Sequence, residues 1–145
     1  ILPGVDMQKN ATVHFEGSEM ACYIFLEIKT NGWTRTDEHS YACRIDDTEA
    51  LSWNVGTDWI FLSGNGSEAV YYRTVSANAV LQADVLADGG KITVSENITK
   101  TQLELLPKDM QIKISATAVQ YNGFSEGEYT EEQRALAAWN AVKNK

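Results

Sequence analysis

The chain has few of the residues on which several classes of protein depend. Its 145 residues include only two histidines, two cysteines and 12 lysines and arginines, against 20 aspartates and glutamates. The formal charge of −8 argues against binding to nucleic acid, because that requires a basic patch that displaces counterions from phosphates. No apolar run reaches about 18 residues, so we predict no membrane insertion of this chain.

The scarcity of histidine limits the catalytic and metal sites that the chain can build. Neither a G-x-S-x-G nucleophile elbow nor an H-E-x-x-H zinc motif occurs. His39 lies in the polar run DEHS (37–40), which is typical of a solvated loop, with catalysis or metal ligation as the alternative. Asp46, Asp47 and Glu49 do not follow the spacing of a calcium-binding loop. We therefore predict no catalytic residue, no metal site and no cofactor.

The two cysteines, Cys22 and Cys43, lack the CxxC spacing of a zinc or redox motif. Two interpretations stay open. One is a disulfide, which an exported protein could form, and the other is a pair of buried free thiols.

Alternation of apolar and polar residues is the recurring pattern, and it predicts strands. Residues 11–16 read as a half-buried strand with His14 towards solvent, and 21–29 as a strand whose first half is buried on both faces. Asn31-Gly32 is typical of a type I′ turn, so we expect a hairpin there, followed by an irregular excursion through 33–47.

The later part of the chain continues the strand pattern. We predict strands at 51–55, 58–62 and 69–75, a turn at 63–68, and a turn at 88–90 that leads into a strand with Ile92 and Val94 on one face. The clearest strand is 110–120, whose alternate residues are predicted to face inward: Met110, Ile112, Ile114, Ala116 and Ala118.

Two segments favour helix. Thr99 or Thr101 can cap one short helical turn that ends before Pro107. Thr130 and Gln133 have the spacing of a capping box, and the helix that follows carries an apolar stripe that we expect to dock on the sheets: Leu136, Trp139 and Val142, with Ala135 and Ala138 alongside. Together these elements predict a mainly all-β, jelly-roll-like antiparallel β-sandwich with a C-terminal α-helix, formed by 1–145 as a single domain.

Aromatic residues offer one candidate ligand surface. Trp53, Trp59, Tyr71 and Tyr72 lie in predicted strands, where aromatics either stack on sugars or fill the core. If the protein binds a ligand, Trp59 and Tyr72 are the candidate ligand-facing residues.

Several stretches resemble, in order, a known family. They are ILPGVD (1–6), ACYIFLEI (21–28), DWIFL (58–62), AVYYRTV (69–75), KITVSENITK (91–100), IKISATAVQ (112–120) and AAWNAVK (137–143). This order is similar to that of the TasA/camelysin-like exported proteins of Gram-positive bacteria, whose signal peptide is handled by the SipW signal peptidase. The resemblance covers nearly the whole chain, and its motifs are structural rather than catalytic.

The resemblance implies a jelly-roll-like fold and a secreted, extracellular or cell-surface location. Better-known members form biofilm matrix fibres, and camelysin has been described as a casein-cleaving metalloprotease. In the family, LPG follows the signal peptide and a segment that supplies a further β-strand. We therefore expect the chain to be truncated at its N-terminus, and relatives to join by donating that strand to the next subunit.

These observations lead to three functional hypotheses. The first is a secreted, non-enzymatic structural protein that associates with itself, or with other matrix or cell-surface proteins, through sheet edges or donated N-terminal strands. The second is an extracellular module that binds a glycan or another ligand. The third is a camelysin-like metalloprotease, for which the sequence offers no motif.

Overall fold

The computed structural model describes residues 1–120 and 130–143. Eleven strands and three short or medium helices follow one another along these residues: β1 (Met7–Gln8), β2 (Thr12–Phe15), β3 (Cys22–Asn31), β4 (Thr34–Arg35), β5 (Ser40–Ile45), β6 (Thr48–Asn54), β7 (Ile60–Gly64), β8 (Glu68–Val75), β9 (Leu81–Asp84), α1 (Ala87–Gly90), β10 (Lys91–Val94), α2 (Lys100–Leu103), β11 (Gln111–Gln120) and α3 (Glu131–Val142).

The strands form three antiparallel sheets. One has five strands in the order β1-β10-β6-β5-β4, one has four in the order β11-β3-β8-β7, and β2 pairs with β9. The predicted mainly antiparallel β fold with a C-terminal helix is confirmed.

The main core lies between the sheets. Alternate residues of β3 lie in this core and are at most 2% exposed: Ile24, Leu26 and Ile28. The five-stranded sheet contributes Tyr41 and Trp53, whose rings stack 4.3 Å apart and nearly parallel. The alternation seen in the sequence therefore points one face of each sheet into a common apolar layer.

The other face of the four-stranded sheet is covered by α3. Tyr23 and Phe25 of β3 belong to this second cluster, and the Trp139 ring lies 5.3 Å from the Phe25 ring. This helix explains why β3 begins with five consecutive buried residues. The predicted capping box at Thr130 and Gln133 is present. The predicted stripe was wrong at Leu136, which is 39% exposed, because α3 turns Ala135, Ala138 and Trp139 to the sheet instead.

The predicted hairpin at Asn31-Gly32 was wrong. Gly32 has a positive φ of 82°, but Asn31 does not, and a type I′ turn needs both. The chain instead leaves the four-stranded sheet at this point, and β4 pairs with β5 in the five-stranded sheet.

The region predicted as an irregular excursion contains a β-hairpin, with a register shift between Cys43 and Arg44. Strand β5 pairs with β6 from Ser40 to Ile45, and the two strands are joined by Asp46 and Asp47, with φ of 50° and 64°. These φ values are those that a two-residue hairpin turn requires, and Asp tolerates them better than most residues.

Two smaller predictions are confirmed. The turn at 88–90 is present within α1, where Asp88 and Gly89 have positive φ. Thr99 caps the short helix α2 through a complete capping box.

Candidate functional site

Strand β11 has a long free edge. It pairs with β3 over all ten of its residues, from Gln111 opposite Asn31 to Gln120 opposite Cys22. Among residues 1–120 and 130–143, no strand pairs with its other side. At about 3.3 Å per residue, a strip of backbone about 33 Å long presents alternate N–H and C=O groups in the sheet plane.

The other strands with a free edge are much shorter. At the opposite end of the same sheet, β7 has five residues, ends at Gly64 and has a register shift between Phe61 and Ser63. The five-stranded sheet ends in β1 and β4, each of two residues, and β2 and β9 have four residues each. Short strands and bulges are the usual protection against edge pairing, and β11 has neither.

Other protective features are also scarce in β11. Lys113 is its one charged residue, and the strand contains no proline. The ladder with β3 runs without a register shift. Charged side chains, prolines and bulges are the features that normally prevent an edge from accepting a further strand.

The face of β11 that continues the main core is incompletely covered. Ile112 and Ile114 are half-buried, whereas Ala116 and Ala118 are exposed. The β3 partners of Ala116 and Ala118, which are Leu26 and Ile24, are buried. The predicted inward face of β11 therefore has the expected parity, but its second half was wrongly expected to be buried, since the opposing layer does not reach it.

Two grooves follow this face of β11. The first, of about 300 Å³, is mainly apolar and includes Met7, Trp33, Leu51, Ile92, Met110 and Ile112 in its lining. The second, of about 280 Å³, lies between β2 and β11 and is lined by residues that include Val13, His14, Ile114 and Ala116. Inward-facing residues of β11 thus line both grooves, Ile112 the first and Ile114 and Ala116 the second.

The candidate aromatic pair does not lie on a surface. Trp59 is 0% exposed and Tyr72 2% exposed, so neither faces a ligand, contrary to their selection as ligand-facing candidates. The Trp59 indole N–H donates to the carbonyl oxygen of Asp84 at 3.0 Å, and Tyr72 packs in the cluster beneath α3. Tyr72 is buried because α3 covers its face of the sheet, and Trp59 packs in the main core just before β7 begins.

Cys22 and Cys43 are both free thiols, and both are buried in the main core. Of the two interpretations drawn from the sequence, the structure has the pair of buried thiols and not the disulfide. Burial raises the pKa of the Cys43 thiol, which disfavours the reactive thiolate.

The histidines occupy separate places. His14 is exposed, as predicted, and its Nε2 lies 2.6 Å from Oε1 of Glu16. His39 donates from Nε2 to the carbonyl oxygen of Trp59 at 2.6 Å. Within 1–120 and 130–143, no three His, Cys, Asp or Glu side chains are grouped in a way that could hold a metal ion.

The loop around His39 is built by local hydrogen bonds. Asp37 Oδ1 accepts the backbone N–H groups of His39 and Ser40, each at 2.9 Å. The bond from the His39 amide is the main reason that the pKa of Asp37 is lowered. These bonds order the turn that precedes β5.

Sequence reasoning identified β11 as a strand but did not identify its edge as a site. One signal was available, since IKISATAV is a long alternating run with a single charge and two small residues at its second half. Its position at the end of a sheet, however, depends on strand order, which alternation does not specify.

Comparisons with models of known protein families, with curated proteins and with solved structures found no match. In the described part of the chain, no helix is long and apolar enough to cross a membrane. Within residues 1–120 and 130–143, fold and site together define the class: an antiparallel β-sandwich in which one sheet ends in a long strand with an unpaired edge.

Proposed function

We propose that the chain is a secreted, non-enzymatic structural protein that associates with copies of itself through the free edge of β11. Secretion and a role in an extracellular matrix are proposed from the resemblance to the TasA/camelysin-like proteins. The location of the self-association site is proposed from the geometry of the sheets.

β11 offers ten residues of unpaired backbone edge, with one charge and no bulge, while the other free edges in the described residues have five residues or fewer. An added strand would gain main-chain hydrogen bonds along this edge, and its alternate side chains would pack against Ile114 and Ala116.

The grooves beside β11 support the same function. Ala116 and Ala118 are small and exposed on the core-facing side, so an added strand has room to place apolar side chains there. Removing that apolar surface from water would favour association by about 25 cal/mol per Å².

The ligand-binding hypothesis has no comparable support. Its candidate residues, Trp59 and Tyr72, are buried. We therefore propose only the structural function.

The test is sedimentation velocity over a range of protein concentrations. We expect the wild type to associate as concentration rises, and Ala116→Lys to remain monomeric, because a lysine on the core-facing side of the edge would have to be buried by an added strand. Ile60→Lys is the matched control. It makes the same change in charge on β7, at the opposite edge of the same sheet, where Ile60 is 44% exposed.

The control should associate as the wild type does. A wild type that stays monomeric at all concentrations, or an Ala116→Lys variant that associates as strongly as the wild type, would overturn the proposal. Circular dichroism spectra of the variants verify that each is folded.

A further inference from the structure

We infer that β11 pairs with β11 of a second copy about a two-fold axis, with Ser115 opposite Ser115 of the partner subunit. This inference rests on the proposed function, since it assumes that the β11 edge is used, and it adds the partner strand, the symmetry and the register.

The identity of the strand that pairs with β11 follows from the properties of the β11 edge. β11 is the longest free edge in the described residues, so the partner best matched to its length on another copy is the same strand. Pairing with β7, the next longest at the ends of the large sheets, would leave half of β11 unpaired and would meet the register shift at Phe61.

Symmetry restricts the register. A two-fold axis perpendicular to the sheet leaves the core-facing sides of both copies on the same side of the combined sheet. Two side chains that lie directly opposite each other in an antiparallel pair point to the same face. Two opposed residues of β11 must therefore both have even numbers or both have odd numbers. A shift by a single residue would place apolar side chains opposite polar ones.

Side-chain size and charge select among the remaining registers. With Ser115 on the axis, Ile114 lies opposite Ala116 of the partner subunit, and Ile112 opposite Ala118 of the partner subunit. Each large residue then meets a small one. On the other face, Lys113 lies opposite Thr117 of the partner subunit, so the two lysines do not face each other.

The consequence is a closed dimer with a continuous eight-stranded sheet, four strands from each copy. Because the interface is isologous, pairing at β11 stops at two copies, and any larger assembly would have to use another surface.

Cysteine cross-linking tests the register. In Ser115→Cys the two new thiols would lie across an antiparallel pair, with Cα atoms about 4.5–5.5 Å apart, which suits a disulfide. Thr117→Cys is the matched control, because residue 117 is on the same exposed face but lies four residues along the strand from its counterpart, about 13 Å away. The native thiols are buried in both variants.

We expect mild oxidation to give several-fold more disulfide-linked dimer in Ser115→Cys than in Thr117→Cys, with no larger species. If the two variants cross-link equally or not at all, while the wild type associates and Ala116→Lys does not, the two-fold pairing is wrong and the proposed function stands. If the wild type is monomeric and neither variant cross-links, both are wrong.

Discussion

Ala116 lies directly opposite Leu26 in the ladder between β11 and β3, yet Leu26 is 0% exposed and Ala116 is exposed. Two neighbouring side chains on the same face of one sheet thus differ completely in burial. The opposing layer covers Leu26 but leaves Ala116 exposed, so the second half of β11 extends beyond that layer. This exposed part of the sheet makes β11 a candidate interaction surface.

Self-association should strengthen with salt. The chain has a formal charge of −8, so two copies repel each other, and β11 contributes one positive charge. Raising NaCl from about 20 to about 300 mM shortens the Debye length from about 20 Å to below 10 Å and weakens that repulsion. We expect the dissociation constant, measured by sedimentation equilibrium, to fall several-fold. A rise would indicate that attraction between opposite charges drives the contact.

Alkaline pH should destabilise the fold through Tyr71. Its hydroxyl donates to the carbonyl oxygen of Glu38 at 2.6 Å and lies 3.0 Å from the Tyr41 hydroxyl. Burial is the main reason that the pKa of Tyr71 is raised above that of an unfolded tyrosine. The stabilisation is therefore complete below about pH 10 and is lost as pH rises further, by up to about 1.4 kcal/mol per pH unit for one group.

Urea unfolding at pH 8 to 11 measures this effect. Tyr71→Phe should lower the free energy of unfolding at pH 8 by about 1–3 kcal/mol, because the buried Tyr41 hydroxyl loses its partner. The same variant should flatten the decline above pH 10. An equal decline in wild type and variant would show that Tyr71 does not titrate on unfolding.

Helix α3 should depend on Trp139 and not on Leu136. Trp139 is 9% exposed and packs against Phe25, whereas Leu136 is 39% exposed. Trp139→Ala should lower the free energy of unfolding by about 3 kcal/mol, and Leu136→Ala by about 0.5 kcal/mol or less. Urea denaturation followed by far-ultraviolet circular dichroism compares them. Equal losses would contradict the orientation of α3.

The two thiols should react only after unfolding. Cys22 and Cys43 are buried, at 2% and 7% exposure, and are not bonded to each other. A thiol reagent at pH 8 should detect almost no reaction in the native protein and two thiols per chain in denaturant. Absence of thiols in the denatured, unreduced protein would establish the disulfide instead.

Local sequence patterns predicted individual strands and helices better than they predicted which elements lie next to each other. The capping boxes at Thr99 and Thr130 depend on residues within one turn, and both are present. Strand β5 was missed although Tyr41, Cys43 and Ile45 alternate, because the surrounding polar residues obscured a short run. The turn beside it was missed because Asp46-Asp47 is a less familiar hairpin sequence than Asn31-Gly32.

The candidate site was less predictable because it depends on long-range order. The parity of β11 followed from its sequence, but the exposure of Ala116 depends on which strand lies opposite in the other layer. Tyr72 illustrates the same difficulty, since an aromatic residue in a strand has the same pattern whether its face is open or covered.

Hydrogen exchange at increasing protein concentration would show whether the free edge of β11 is the contact between copies. In the monomer, the β11 amides that point away from β3 should exchange quickly, because no strand in the described residues accepts from them. Association should slow the exchange of these amides at least tenfold and leave the amides at the free edge of β7 unchanged. If the oligomer forms while β11 exchanges as it does in the monomer, the copies associate through a different surface and β11 is not the interface.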